Sequence, residues 1–418
     1  MRRIAIWALS ALAAMVVAAC GGATAGQSKG EIDIGSLFPS NGGDAAQGIP
    51  IQNGIEFAIN QVKTVRGFTL KYVPADDTVN GTANLQKSVQ NIQQYVDNSK
   101  VLGVIGTYYS TFAVADIPVA NRANLAMISP SNTLECLTVP YKWCNPTPSQ
   151  MRPNGVQNYF RITTSDLFQG PAMADFAYDT LNLRQVAAFS NGEASPDSMR
   201  NHFVDEFTKK GGKVVVNQSY DWKTLNDFRP LIQQAKAAGA QGIYMGGESG
   251  TKSCQARAQM KGILDVPFMG DDGMTNAQCI SDAADNAAGM YNTVPSADAH
   301  QNPDAAATIA AFKAKYPNPN QEASFTFPAV DCANILIAAI GRAIDANGGN
   351  MPTRIQVVQQ MAATKDYKGL TGVYSFNQYG DPTAPNMSIY ESKGTPATFT
   401  WLKQFTVDPS SVPIDSNS

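Results

Sequence analysis

From Glu31 onward, short apolar runs alternate with longer stretches whose apolar residues recur at helical intervals. EIDIGSLFP predicts a strand closing on a loop, and PIQNGIEFAINQV predicts the helix after it. FTLKYVPADD predicts a second strand, and TANLQKSVQNIQQYV a second helix starting at Thr82. VLGVIG and LAMIS follow as strands, with FAVADIPVANRA as the helix between them. The rhythm continues through YFRIT, QVAAFS, KVVVNQSYD, GIYMGG and VPFMGDDG, with helices beginning at Phe168, Pro196 and Phe228. Strands that are apolar at nearly every position suit burial on both faces. Alternation with helices then implies an α/β fold of parallel sheets between helical layers.

Two consecutive strands end in hydroxyls: VLGVIG runs into Thr-Tyr-Tyr-Ser-Thr, and LAMIS into Pro-Ser-Asn-Thr. In an open parallel sheet, ligands lie beyond the carboxyl ends of the strands. Ser110, Thr111, Ser131 and Thr133 are therefore candidates for holding a carboxylate, with helix N-termini adding backbone donors. Asp272, just after VPFMG, offers negative charge suited to an ammonium. The plainer alternative is that these hydroxyls only cap helices.

The Pro-, Ser- and Asn-rich NPTPSQMRPNG separates the strand–helix pairs before Thr147 from those after Tyr159. Two lobes are expected, and 418 residues suffice for both. Before Glu31, the chain has Arg2 and Arg3, an apolar stretch from Ile4 to Val17, and VAAC followed by Gly-Gly. This is the layout of an export signal over residues 1–19. VAAC resembles the lipobox of bacterial lipoproteins, which makes Cys20 the lipidation site and residues 20–30 a flexible tether. No other segment is expected to be apolar enough to span a bilayer, so the protein works outside the cytoplasmic membrane, held there by lipid.

Export allows disulfides. Cys136 and Cys144 bracket LTVPYKW and are expected to pair; Cys254 and Cys279 can form a second bond, leaving Cys332 buried in an apolar helical run. A net charge of -3 gives no electrostatic case for nucleic acid. The two histidines, His202 and His300, lie far apart with no cysteine or acidic cluster at metal-ligand spacing beside either, so neither a metal site nor a cofactor is expected. There is no P-loop and no Gly-x-Ser-x-Gly elbow; GGESG places Glu248 where a nucleophile would stand. The acidic pair Asp271-Asp272 lacks a separate partner for acid–base catalysis.

The segments VIGTYYSTFAVADIPVANRANLAMISPSNT, FRITTSDLFQGPAMADFA, NDFRPLIQQAKAAGAQGIYMGG and KGLTGVYSFNQYGDP together resemble the type I periplasmic binding proteins of the leucine/isoleucine/valine-binding family. These are the substrate receptors of branched-chain amino-acid ABC transporters, and the resemblance runs from Ile32 to Phe405. It implies two Rossmann-like lobes joined by a three-segment hinge near Thr163, Val294 and Gly372. Residues 31–163 and 294–372 would form the first lobe, and 164–293 and 373–418 the second lobe and C-terminal tail.

The same resemblance assigns site residues. Ser110 matches the carboxylate-binding serine, and Ser131 the residue whose backbone meets the ligand. Thr133 matches the threonine that touches both ends of the ligand, and Asp272 the acid facing the α-ammonium. Three enclosing aromatic positions of aliphatic binders read Gln47, Ser195 and Glu248 here, while Tyr108 and Tyr109 remain to supply aromatic walls. The pocket is thus more polar than a leucine site, and a polar or cationic amino acid, or another small amide or carboxylate, is expected. The resemblance implies a non-enzymatic receptor with membrane permease subunits as partners. A sensor partnered with a membrane kinase or chemoreceptor, and a lipid-anchored hydrolase, are the alternatives.

Overall fold

A computed structural model describes residues 28–408; the export signal, Cys20, most of the tether and the last ten residues lie outside the described residues. The first sheet takes β1 Glu31–Phe38, β2 Thr64–Val65, β3 Phe68–Asp76, β6 Val101–Gly106, β7 Ala126–Ser129 and β8 Tyr159–Arg161, with the short hairpin β4 Thr78–Val79 and β5 Thr82–Ala83 beside it. Its order is β2-β3-β1-β6-β7-β8, parallel except for β2. The second sheet takes β9 Gln185–Ser190, β10 Lys213–Ser219, β11 Ile243–Gly246, β12 Phe268–Gly270 and β13 Met290–Val294. After the small pair β14 Tyr367–Lys368 and β15 Val373–Tyr374, it is completed by β16 Asn386–Lys393 and β17 Thr398–Thr406. The order is β10-β9-β11-β12-β13-β16-β17, and the last two strands run antiparallel. The expectation of parallel sheets holds for the strands that alternate with helices. It gives way at the C-terminal end, where a hairpin needs no crossover helix.

Each sheet is buried on both faces, which explains the unbroken apolar runs. In β9, Ala187 and Phe189 face one core while Val186 and Ala188 face another. In the first sheet, Ile32 and Ile34 pack on one side and Val101 and Val104 on the other. The first of these cores is filled by helix Thr326–Ala346, which packs against helix Ala45–Val62. Contrary to the sequence expectation, helix Thr326–Ala346 is long and apolar enough for a membrane span, but 83% of its most apolar stretch is buried inside the protein. It is a core helix that is apolar all round because almost every face has a neighbour.

The helix expected to start at Thr82 starts later. Thr82 pairs with Val79 in the β4–β5 hairpin, and Asn84 caps helix Leu85–Asp97 by accepting the Lys87 N–H at 2.8 Å. Both disulfides form, Cys136–Cys144 and Cys254–Cys279, and Cys332 is free and buried. After β15 the chain stays on the first sheet for several residues: Arg161 N donates to the Gly380 carbonyl at 3.0 Å, and Arg161 Nε pairs with Asp381 at 2.7 Å. It joins the second sheet at Asn386.

Candidate functional site

Strands of both sheets end at one cavity of about 30 Å³, lined by Tyr108, Tyr109, Ser110, Ser131, Thr133, Ser195, Met199, Glu248, Asp271, Asp272 and Gly273. Tyr108 and Ser110 follow β6, Ser131 and Thr133 follow β7, Ser195 follows β9, Glu248 follows β11, and the aspartates follow β12. Parallel strands make this convergence: every carboxyl end points the same way, so the residues after each strand collect along one edge.

The hydroxyls do not cap helices. Helix Ser110–Arg122 has Tyr109 at its N-cap and no side-chain cap bond. Ser110 Oγ instead accepts the backbone N–H groups of Thr133 and Leu134, at 3.2 and 3.3 Å, which ties the two hydroxyl clusters together. Its own proton is then left to donate. Ser131 Oγ donates to the Thr107 carbonyl at 3.2 Å. Thr133 and Ser195, from opposite lobes, bring their hydroxyl oxygens within 2.8 Å, and Ser195 donates onward to Asp166 Oδ2 at 2.9 Å.

The second-lobe side is acidic. Asp272 Oδ1 accepts from Gln169 Nε2 at 2.6 Å, Asp271 Oδ2 from the Gly247 N–H at 2.8 Å, and Glu248 Oε2 from Asn191 Nδ2 at 2.6 Å. Burial pushes the Asp272 carboxyl up to about 6. Burial, then the charges of Asp272 and Glu248, hold Asp271 well above the ordinary range. Glu248 is raised by burial and then by Asp44, Glu193 and Asp272. Asp271 Oδ1 and the Tyr108 hydroxyl are buried without a hydrogen-bond partner.

Of the side chains expected from the sequence, Ser110, Ser131, Thr133, Asp272, Glu248, Tyr108 and Ser195 meet at the cavity. Gln47 does not line it. Fully buried behind Asp272, it donates to the Asp272 and Thr275 carbonyls, both at 3.3 Å, and to Ser324 Oγ at 3.2 Å. Tyr109, expected beside Tyr108 as an aromatic wall, also lines the cavity; Asp271 and Met199 were not assigned to the site from sequence, nor were Asp166 and Gln169, which hold its members in place. Asp271 had a signal, since it immediately follows β12; Met199, on helix Ala194–Lys209, had none.

The lobes also touch outside the cavity. Asp44 Oδ1 accepts the Gly250 N–H at 2.8 Å while Oδ2 accepts the Tyr109 hydroxyl at 2.7 Å. Gly43 packs so closely that a Cβ on it would lie 2.7 Å from Gly250 Cα. On another side, Ser198 Oγ donates to Glu135 Oε2 at 2.8 Å, and Trp143 Nε1 to Glu135 Oε1 at 2.6 Å. Burial alone would raise the Glu135 carboxyl, but the His202 imidazole, 3.7 Å away, and the Ser198 hydroxyl hold it below its ordinary value. Among the described residues, no group of His, Cys, Asp or Glu is arranged to hold a metal ion.

A family model described as periplasmic binding protein matches residues 31–396. The Leu/Ile/Val-binding protein homolog 3 of Brucella melitensis is 26% identical, covering 86% of this chain and 91% of its own. The leucine-, isoleucine-, valine-, threonine- and alanine-binding protein of Pseudomonas aeruginosa is 26% identical over 91% of this chain and 94% of its own. Among solved structures, a leucine-binding protein from Thermotoga maritima superposes with a TM-score of 0.76 at 22% identity, covering 91% of this chain and all of the other. A solute-binding protein of an ABC transporter from R. palustris, in complex with 4-hydroxybenzoate, also gives 0.76, at 18% identity over 91% of this chain and 98% of its own.

Proposed function

This chain belongs to the periplasmic binding protein family, and from that premise we infer that it is the extracytoplasmic substrate receptor of an ABC importer, taking an amino acid or related solute between its lobes. The family is one of solute binding and transport, not of catalysis. The observation that carries the reading is the cavity where strands of both sheets end. A solute bound there touches both lobes at once and so favours the closed form. That form is the one the permease subunits in the membrane recognise.

Within the cleft, the solute carboxylate meets the hydroxyls of Ser110 and Thr133 and the backbone at Ser131, and its ammonium meets Asp272. Tyr108 and Glu248 flank the side chain, Ser195 closes the cleft from the second lobe, and Gln47 braces Asp272 from behind. The first lobe comprises 31–163 and 294–372, and the second 164–293 and the strands from Asn386. The stretch between Val373 and Pro385 serves as the third hinge segment. Relatives named for leucine and a neighbour holding 4-hydroxybenzoate leave the solute open, because the same fold serves both. The cavity as it stands has room for little more than water, so entry of the solute requires the lobes to part. Export follows from the receptor role. A lipid anchor at Cys20, through the tether of residues 20–30, would keep the receptor beside its permease.

Native mass spectrometry of freshly purified protein tests this, since tight receptors retain their solute. A thermal-shift panel follows, in which a solute at a thousandfold excess over its Kd adds about 4 kcal/mol of stability. Retention of a small solute, or a shift with an amino acid, amide or carboxylate, is expected. Neither, in protein that melts cooperatively, would overturn the reading.

A further inference from the structure

Resting on the receptor reading above, we propose that the solute is an α-amino acid whose side chain bears a second positive charge, received by Glu248 and Asp271 while Asp272 meets the α-ammonium. Three carboxylates line the cavity, and no Lys, Arg or His does. Asp44 stands just outside, bonded to the lining residue Tyr109. An amino acid with a neutral side chain brings one ammonium to this wall and a carboxylate of its own. It would leave Glu248 and Asp271, once the cleft closes and water is excluded, without a counter-charge, so that they must take up protons to stay buried.

The hydrogen-bond inventory points the same way. Asp271 is 1% exposed, and its Oδ1 accepts from nothing; Gln169 Oε1, on the side chain that holds Asp272, is buried and unpartnered too. Tyr108, 6% exposed, presents an unpartnered hydroxyl to the same cavity. On the second-lobe side the wall is thus short of donors and rich in acceptors, and a guanidinium or ammonium supplies donors alone. Without such a group, burial and mutual repulsion drive Glu248 and Asp271 toward their protonated forms.

Two other cations fit less well. The described residues hold no three-ligand metal cluster, and Asp272 and Glu248 each already accept from an amide side chain. A diamine would leave the first-lobe hydroxyls idle. Ser110 Oγ, accepting two backbone N–H groups, keeps its proton for an anion, which a carboxylate provides.

Isothermal titration of the purified protein with arginine, lysine, ornithine, glutamine, leucine, glutamate, agmatine and calcium chloride decides it. A basic amino acid should bind about tenfold or more tighter than any neutral one. Glu248→Gln and Asp271→Asn, each checked for an unchanged melting transition, should erase most of that preference, lowering basic amino-acid affinity by a larger factor than neutral amino-acid affinity. Ser110→Ala should weaken the basic amino acid but not agmatine, which lacks the carboxylate. Tightest binding by leucine or glutamine, or a preference untouched by both acid variants, overturns the charge inference and leaves the receptor reading standing. Tighter binding of agmatine or calcium than of any amino acid overturns the amino-acid assignment. If no amino acid of any charge binds, the proposal falls together with the amino-acid part of the receptor reading.

Discussion

Thr133 and Ser195 come from different lobes, yet their hydroxyl oxygens stand 2.8 Å apart at the edge of the cleft. Because Ser195 donates onward to Asp166, the pair forms a relay from the first lobe into the second. With the Ser195 proton on Asp166, Thr133 is the donor to Ser195, so Thr133→Val breaks the relay at its first-lobe end and should weaken binding by roughly 0.5–1.5 kcal/mol with little change in melting temperature. Ser195→Ala takes from the buried Asp166 its bonded hydroxyl and should weaken both closure and binding by about 1–3 kcal/mol. Titration calorimetry on the two variants checks this, and wild-type affinity in both would refute the relay.

Gly43 and Gly250 bring the two backbones together beside the Asp44 latch. A Cβ at Gly43 would lie 2.7 Å from the Gly250 backbone Cα, which no side-chain rotation relieves, so Gly43→Val should push the lobes apart. Small-angle scattering with saturating solute should then report a larger radius of gyration than wild type. An identical scattering curve would mean that the contact does not govern closure.

The two disulfides should differ in weight. Cys254–Cys279 spans 25 residues and Cys136–Cys144 spans 8. Loop-closure entropy assigns about 3.5 and about 2.5 kcal/mol respectively. The shorter bond also steadies Trp143 and Glu135, and Glu135 accepts from Ser198 of the second lobe just beyond Thr133, so its loss should weaken solute binding as well. Urea titrations of the paired Cys→Ser variants test the ranking, and the reverse order would contradict it.

Acid should stabilise the protein. Burial raises Asp116 to about 7, and Asp272 and Asp331 to about 6. Each carboxyl binds its proton more tightly folded than unfolded. Its contribution is therefore fully present below the unfolded value near 3.9 and is lost as pH rises through 6 to 7. His300, raised to about 9 by the hydrogen bonds its ring donates to Asp298 and Glu322, acts in the same sense: its contribution is present below about 6.5 and is lost as pH rises through 9. Glu135, held low, opposes them. The melting temperature should be a few degrees higher near pH 5.5 than near pH 8.5, and Asp116→Asn should flatten the difference. A profile that climbs toward alkaline pH would count against these assignments.

Cys20→Ser should move the protein from the membrane fraction to the soluble one and abolish incorporation of labelled lipid. Soluble wild-type protein with a different N-terminus would exclude the anchor.

The sequence by itself determined the layering, the two sheets, and the strand ends that carry Ser110, Ser131, Thr133, Glu248 and Asp272. Strands buried on both faces must be apolar throughout, and in a parallel sheet the next residues face the ligand edge, so position along the chain predicts position in space. The resemblance added Ser195 and Tyr108. Tertiary structure alone decided what crosses the cleft. Gln47 reads as an enclosing side chain, but its amide finds two carbonyls behind Asp272 and turns away from the cavity. Asp44, Gln169 and Met199 lie far along the chain from the residues they meet, and no local pattern marks which helix face closes on which strand end. The hydroxyls of Ser110 had a local reading as caps, and only the fold supplied the Thr133 and Leu134 N–H groups that claim its oxygen instead. Pairing between lobes depends on how two separately buried cores come to rest against each other, and that geometry is set by contacts hundreds of residues apart.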